Sequence, residues 1–349
     1  MNSRIALLTM LLLGLPLAPA HAQLSPDWKA CSDVGASIAV ADSIAACTRL
    51  IESGRESTVN RGIALANRCG GKVRRRDLDG AIADCGEAIR LAPGSVAARN
   101  NRGQAFLAQG SYPDALADFD AALRMSANHA SASYGRAVAL HRLGRYDESL
   151  KAFDVALAAA PRDGSVYRAR AALRAARHEP ARAIEDYTAA LGLNAGDALA
   201  LEGRAGQRAR LGRWSDALAD YETLARIRPA VAIHHAHACG AKVMLDRARE
   251  AIADCDRALA ANGRVADALA NRALAHHALG ELGAAKADWE AALALVPISA
   301  GFRYGLGMTL EASGDRDGAA RAFAEARRRS DNERAWADIE ALYGRFRKR

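Results

Sequence analysis

The chain has 349 residues, half of them apolar but only 5% aromatic, and carries 48 Lys and Arg against 40 Asp and Glu for a net charge of +8. That composition, dominated by alanine, excludes a single thick core and suits thin, closely packed helices. A globular fold of this length would form two domains, whereas an array of repeats escapes the limit because each repeat packs only on its neighbours.

Met1–Ala22 has the layout of a secretory signal peptide. Arg4 is its positive start, Ile5–Leu17 its apolar run, and Ala20-His21-Ala22 its small-x-small cleavage site. The run is too short to span a bilayer. Removing it takes one basic and no acidic residue, so Gln23–Arg349 is expected as an exported chain of net charge +7. Asp27–Gly54 follows as a degenerate helical pair marked by Trp28, Cys31, Ile44, Cys47 and Leu50. Thr58–Arg61 then offsets a strict register that begins at Gly62.

From Gly62 to Glu333 a 34-residue pattern returns eight times without an insertion. Positions are numbered within a repeat from 1 at Gly62. Position 8 is always small (Cys69, Gly103, Ala137, Ala171, Ala205, Cys239, Ala273, Gly307), and position 20 is alanine except for Ser149. Position 24 is Cys85, Phe119, Phe153, Tyr187, Tyr221, Cys255, Trp289 and Phe323. Small residues let two helices approach, and a ring fills the gap that follows. Gly110, Gly144, Gly212, Gly280 and Gly314 are expected to end first helices in a left-handed cap, while Pro93, Pro161, Pro229 and Pro297 stop second helices. Behind the last copy, Trp336, Ile339, Leu342 and Phe346 form one stripe, expected as a closing helix over the final repeat, with Arg345–Arg349 as a solvated basic end. The expected divisions are 1–22, 23–61, 62–333 and 334–349.

A helix–turn–helix repeat of this length resembles the tetratricopeptide repeat. The resemblance implies an all-α, right-handed α-solenoid with a C-terminal capping helix. The wording of WKAC and IAACTRLIESG also resembles the N-terminal segment of exported bacterial proteins of this kind.

Arginine fills position 7 six times and aspartate position 23 six times. Both occur together in five repeats, as Arg68 with Asp84, Arg102 with Asp118, Arg170 with Asp186, Arg204 with Asp220 and Arg272 with Asp288. These are expected as structural ion pairs inside each repeat, because a half-buried arginine needs a carboxylate. His234, His235, His237, His276 and His277 lack an acid or thiol at ligand spacing, so they are expected as polar lining and no metal is assigned. No HExxH, GxSxG, P-loop or CxxC motif is present. The runs at Arg74–Arg76 and Arg327–Arg329 lack the interleaved aromatics of a nucleic-acid surface.

The family lines its concave face with first-helix positions 2, 5, 9, 12 and 13. The resemblance therefore implies a partner-binding groove of Asn100, Gln104, Leu107, Tyr134, His141, Arg142, Arg168, Glu202 and Arg210. Elsewhere the lining is small or apolar, as at Ile63, Ala66, Gly70, Ile233, Ala236, Gly240 and Leu274. The expectation is an exported, non-enzymatic scaffold that holds a protein or peptide there, without cofactor, nucleic acid or stable membrane anchor. It would sit in a bacterial periplasm or be released outside the cell. Rival readings are an enzyme or regulatory subunit acting on envelope glycans, and a self-assembling structural element. Oligomeric state is left open.

Six cysteines in an exported chain point to disulfides. In two repeats cysteine replaces the small residue at 8 and the ring at 24 together, and Cys31 and Cys47 share the same separation. The expected bridges are Cys31–Cys47, Cys69–Cys85 and Cys239–Cys255, each contributing about 3 kcal/mol by loop entropy. Peptide mapping of the non-reduced, exported protein is expected to return these three linked pairs. Six alkylatable thiols, or a crossed pair such as Cys47–Cys69, would overturn them.

Overall fold

The computed structural model describes residues 25–33, 37–330 and 332–347, so the expected leader at 1–22 lies outside the described residues, as do Lys348 and Arg349. The described residues fall into two compact bodies divided between Leu143 and Gly144. The first holds α1 (Pro26–Ser32), α2 (Val40–Glu52), α3 (Thr58–Arg74), α4 (Leu78–Leu91), α5 (Val96–Gln109), α6 (Tyr112–Met125) and α7 (Ala130–Arg142). The second begins with α8 (Tyr146–Ala159), α9 (Gly164–Ala176), α10 (Pro180–Leu193), α11 (Ala198–Arg210), α12 (Trp214–Ile227) and α13 (Ala232–Met244). It continues through α14 (Ala248–Ala261), α15 (Ala266–Ala278), α16 (Leu282–Leu295), α17 (Ala300–Ala312), α18 (Arg316–Arg329) and α19 (Glu333–Arg347). Within each body, consecutive helices pack as hairpins and alternate first helices stack on one another.

Local chemistry sets these boundaries. First helices open on Ser57, Ser95, Asp163, Asp197 and Ser299, whose side chains accept from free backbone N–H groups of the first turn. They close at position 15, which is left-handed in every repeat. Glycine fills it five times, and Arg76, His178 and Asp246 adopt φ of 66°, 60° and 62° there. The boundary expected between residues 61 and 62 falls inside α3. Ser57 Oγ accepts from Asn60 N at 3.1 Å, so the helix starts a full turn before the register.

Positions 8, 20 and 24 carry the interior. Ala81, Ala115, Ser149, Ala183, Ala217, Ala251, Ala285 and Ala319 at position 20 are all buried. Three of the rings at position 24 press on glycine at position 6 of the following repeat. A Cβ on Gly135 would stand 2.4 Å from Phe119, on Gly203 2.3 Å from Tyr187, and on Gly305 2.3 Å from Trp289. Where cysteine stands at 24, the structure joins Cys31 to Cys47, Cys69 to Cys85 and Cys239 to Cys255, with Cα atoms 4.8, 5.6 and 5.4 Å apart. A bridge is thinner than a ring, and the position 6 that follows is then asparagine: Asn67, Asn101 and Asn271. Asn101 Nδ2 donates to Ala66 O at 3.0 Å and Asn271 Nδ2 to Ala236 O at 3.2 Å, each crowding a glycine at position 9, Gly70 or Gly240.

Each of the five Arg–Asp pairs is bidentate, with N–O distances between 2.6 and 3.0 Å and the carboxylate buried. Position 11 supplies a second base that the sequence reading overlooked. Lys72, Arg174, Arg208 and Lys242 reach the same carboxylates at 2.6–2.8 Å. Lys242 thereby neutralises Asp254 in the repeat that has Ala238 at position 7. The position-7 arginines also reach back one repeat to position 25, Arg136 to Asp120 and Arg272 to Asp256, both at 2.6 Å.

The C-terminal helix α19 lies on the final repeat, as a closing helix should, by packing on its first helix α17, and it extends to α15; the basic tail departs from expectation. Phe346 is buried, while Arg345 bonds Asp246 and Arg347 bonds Glu311, so the described part of the tail is not a solvated end. The aromatic stripe gains more by covering apolar first-helix surface than by meeting solvent.

Removing Arg102 takes both short bonds from the Asp118 carboxylate, which is 4% exposed and is left with only Arg99 at 4.0 Å. Arg102→Ala is therefore expected to cost about 3–5 kcal/mol. Arg102→Ala/Asp118→Ala should unfold at the same or higher denaturant than the single variant. A loss equal to the sum of the two single losses would show that the residues do not interact.

Candidate functional site

In the N-terminal body, α3, α5 and α7 turn positions 5, 9, 12 and 13 to one side. Two adjoining cavities lie there, sharing Val73 and Gln104. One, of about 520 Å³, is lined by Asn67, Asn100, Asn101, Gln104 and Arg74, with Asp33 at its edge. The other, of about 430 Å³, is lined by Leu107, Tyr112, Val138 and Arg142. Four of the nine groove residues, Asn100, Gln104, Leu107 and Arg142, thus come together.

Asn100 is the most constrained of them. It is 8% exposed, and its Nδ2 donates to Asn101 Oδ1 at 3.4 Å. Because Asn101 Nδ2 is committed to Ala66 O, Asn101 must present its oxygen to Asn100, and Asn100 must answer with its nitrogen. Asn100 Oδ1 is left buried beside the cavity without a hydrogen-bond partner. A buried acceptor in that state costs free energy until a donor arrives.

The remaining groove residues are placed differently. Tyr134 and His141 are half-buried on α7, and burial, with Arg142 adding, lowers the His141 pKa. In the C-terminal body Arg168 is paired with Asp197, and Arg210 bonds His178 Nδ1 at 3.0 Å. Glu202 is exposed, and its charge is felt by Tyr221, His234 and His237. Tyr221 is pushed up to about 12 by burial, with Glu202 and Asp220 adding. The His237 ring lies 5.1 Å from that of Tyr221, while His277 Nδ1 lies 3.2 Å from Thr309 Oγ1. Among the described residues no three His, Cys, Asp or Glu side chains could hold a metal ion, and no helix is long and apolar enough to cross a membrane.

The Tetratricopeptide repeat family model matches residues 72–130, 100–164 and 278–334. The C-terminal part of a TPR repeat-containing protein from Cytophaga hutchinsonii aligns with a TM-score of 0.59 at 13% identity, over 69% of this chain and 99% of its own. The chain is a tetratricopeptide-repeat protein. A tetratricopeptide repeat protein from Parabacteroides merdae gives a TM-score of 0.47 at 18% identity, over 75% of this chain and 97% of its own. YrrB, described as a TPR protein with an unusual peptide-binding site, gives 0.48 at 21% identity, over 53% and 95%. No curated protein matches the sequence.

The tetratricopeptide fold explains why the groove residues differ in fate. Whether the side chain at position 5 is free depends on the neighbouring repeat. Asp197, at the N-cap of α11, captures Arg168, whereas the neighbour of Asn100 leaves an acceptor open. Asn101 and Asn271 tie repeat to repeat, so their amide nitrogens are spent on backbone rather than offered to a ligand.

Burial lowers the pKa of His234, His237 and His277 below the ordinary 6.5. The folded chain therefore binds fewer protons than the unfolded chain around that value. Their contribution to stability is complete above about pH 6.5 and is lost as pH falls. Melting temperature is expected to drop between pH 7.5 and 5.0, and to drop less in His237→Gln/His277→Gln. An equal drop in that variant would remove these histidines as the cause.

Proposed function

We propose that the protein is a non-enzymatic scaffold that holds an extended segment of a partner protein against the inner face of α3, α5 and α7. The observation that carries this reading is Asn100 Oδ1, a buried acceptor without a partner beside a cavity of about 520 Å³. An extended peptide offers N–H donors along its backbone, and one of them can meet that oxygen. Gln104 and Leu107 extend the lining toward Arg142, giving a polar end, an apolar step and a cation in sequence. Such a surface reads main chain and side chain together. Cysteines paired as disulfides favour an oxidising compartment, so the reading includes export and action in the periplasm.

Photo-crosslinking in intact cells tests it. A crosslinker placed at Gln104 or Leu107 is expected to capture a discrete partner, while one at exposed Ala117 on α6 captures none. Asn100→Ala should weaken that capture by about 1–3 kcal/mol, without a change in helix content or melting. Equal capture from Ala117, or undiminished capture by folded Asn100→Ala, would place the interaction elsewhere.

A further inference from the structure

The inner face of the last three repeats is not open: the chain's own C-terminal helix lies on it. Tyr304 and Glu311, at positions 5 and 12 of α17, meet α19. The Tyr304 ring lies 5.6 Å from Trp336 and 5.9 Å from Tyr343, and Arg347 bonds both Glu311 oxygens at 2.6 and 2.8 Å. Gly301, at position 2, leaves room for Tyr343. On α15, at position 12, the His277 ring donates to the backbone carbonyl of Phe346. Farther back, Arg345 Nη2 donates to Met244 O, the last carbonyl of α13, and to Asp246 Oδ1, both at 3.2 Å. One helix thus spans three first helices along the positions that the family uses for ligands.

This helix is anchored mainly near its C-terminal end. Of its fifteen residues only Tyr343 and Phe346 are buried, with Trp336 and Ile339 half-buried against the same core. A cavity of about 620 Å³, lined by Val296, Ile298, Ala335 and Ile339 among others, opens between the start of α17 and the first half of the helix, beside the Tyr304–Trp336 contact. Ile298 on that wall is 73% exposed. A permanent lid would close such a gap, since burying apolar surface is favourable and leaving it wet is not.

We propose that the inner face of α13, α15 and α17 is a helix-binding groove, and that α19 is its resident, displaceable occupant. The partner it fits is an amphipathic helix with aromatic residues at i, i+7 and i+10 and arginines at i+9 and i+11, the pattern of Trp336, Tyr343, Phe346, Arg345 and Arg347. The groove supplies the complement: apolar wall at Ala270 and Leu274, carboxylates at Glu311 and Asp246, and the negative end of the α13 dipole at Met244 O. This surface is independent of the Asn100 cavity, so either can fail alone.

The test uses the full chain and a fluorescein-labelled peptide of residues 333–347 as probe. Tyr343→Ala/Phe346→Ala removes the anchors of the resident helix and leaves the groove intact. That variant is expected to bind the peptide at least tenfold more tightly than the unaltered chain, and Glu311→Lys added to it should reverse most of the gain. Equal binding by variant and parent, or no binding by a variant whose repeats melt normally, overturns the proposal. Should the variant not fold, hydrogen exchange on the parent decides: α19 amides are expected to exchange at least a hundredfold faster than those of α17, and equal protection makes α19 a fixed cap. A concentration-dependent dimer of the parent that vanishes in the variant would assign the groove to a second copy and overturn the commitment to a separate partner.

Discussion

Two helices of a hairpin approach closely only where one presents a small side chain and the other fills the space left beyond it. In this chain that contact is made between positions 8 and 24, and its filler bears on what the next repeat carries. The rings of Phe119, Tyr187 and Trp289 leave room only for glycine at position 6 of the neighbour, whereas Phe153 is followed there by Ala169 and Tyr221 by His237, whose ring stacks on it. A disulfide leaves room, and asparagine enters to bond the backbone of the preceding first helix. The bridged repeats therefore do not merely add a covalent tie. They exchange an apolar plug between hairpins for a hydrogen bond between hairpins, at Asn101 and Asn271.

Charge follows the same geometry. The carboxylate at position 23 is buried between the two helices of its hairpin, and one guanidinium cannot satisfy all of its lone pairs. Position 11, one turn beyond position 7, brings the second donor from the same helix. The arginine at position 7 then has a nitrogen to spare and reaches an aspartate of the preceding repeat, as Arg170 does with Asp154. A contact that begins inside one hairpin ends by linking two. This fits the nearest-neighbour energetics of repeat proteins, in which each interface matters nearly as much as each repeat.

Much of this was legible in the sequence, for a physical reason. A strict 34-residue period converts one hairpin into eight, so packing positions and the cysteine pairs can be read by comparing copies of the chain with one another. What stayed hidden lay between copies or outside them. The bases at position 11 stand in the sequence as a column of Lys72, Arg174, Arg208 and Lys242, but an aspartate matched by the arginine at position 7 gives no sign that it takes a second donor. The seat of α19 has no internal copy to compare with, and an aromatic stripe at helical spacing does not say which surface it covers. Of the groove, the facing positions were readable. Which side chains were already engaged was not: Arg168 and Arg210 have partners, while Asn100 keeps an open acceptor.

All three disulfides close within a hairpin and none passes from one hairpin to the next. The bridges consequently place no covalent limit on how far successive repeats splay or slide, and the array keeps its elasticity while the bridged coils are individually locked. Under tension along the chain the difference becomes one of length. A repeat without a bridge pays out about 110 Å of extended backbone when it gives way, whereas a bridged one withholds about 55 Å of that between its cysteines. The oxidised repeats at Cys69–Cys85 and Cys239–Cys255 are thus short-travel links in a longer spring.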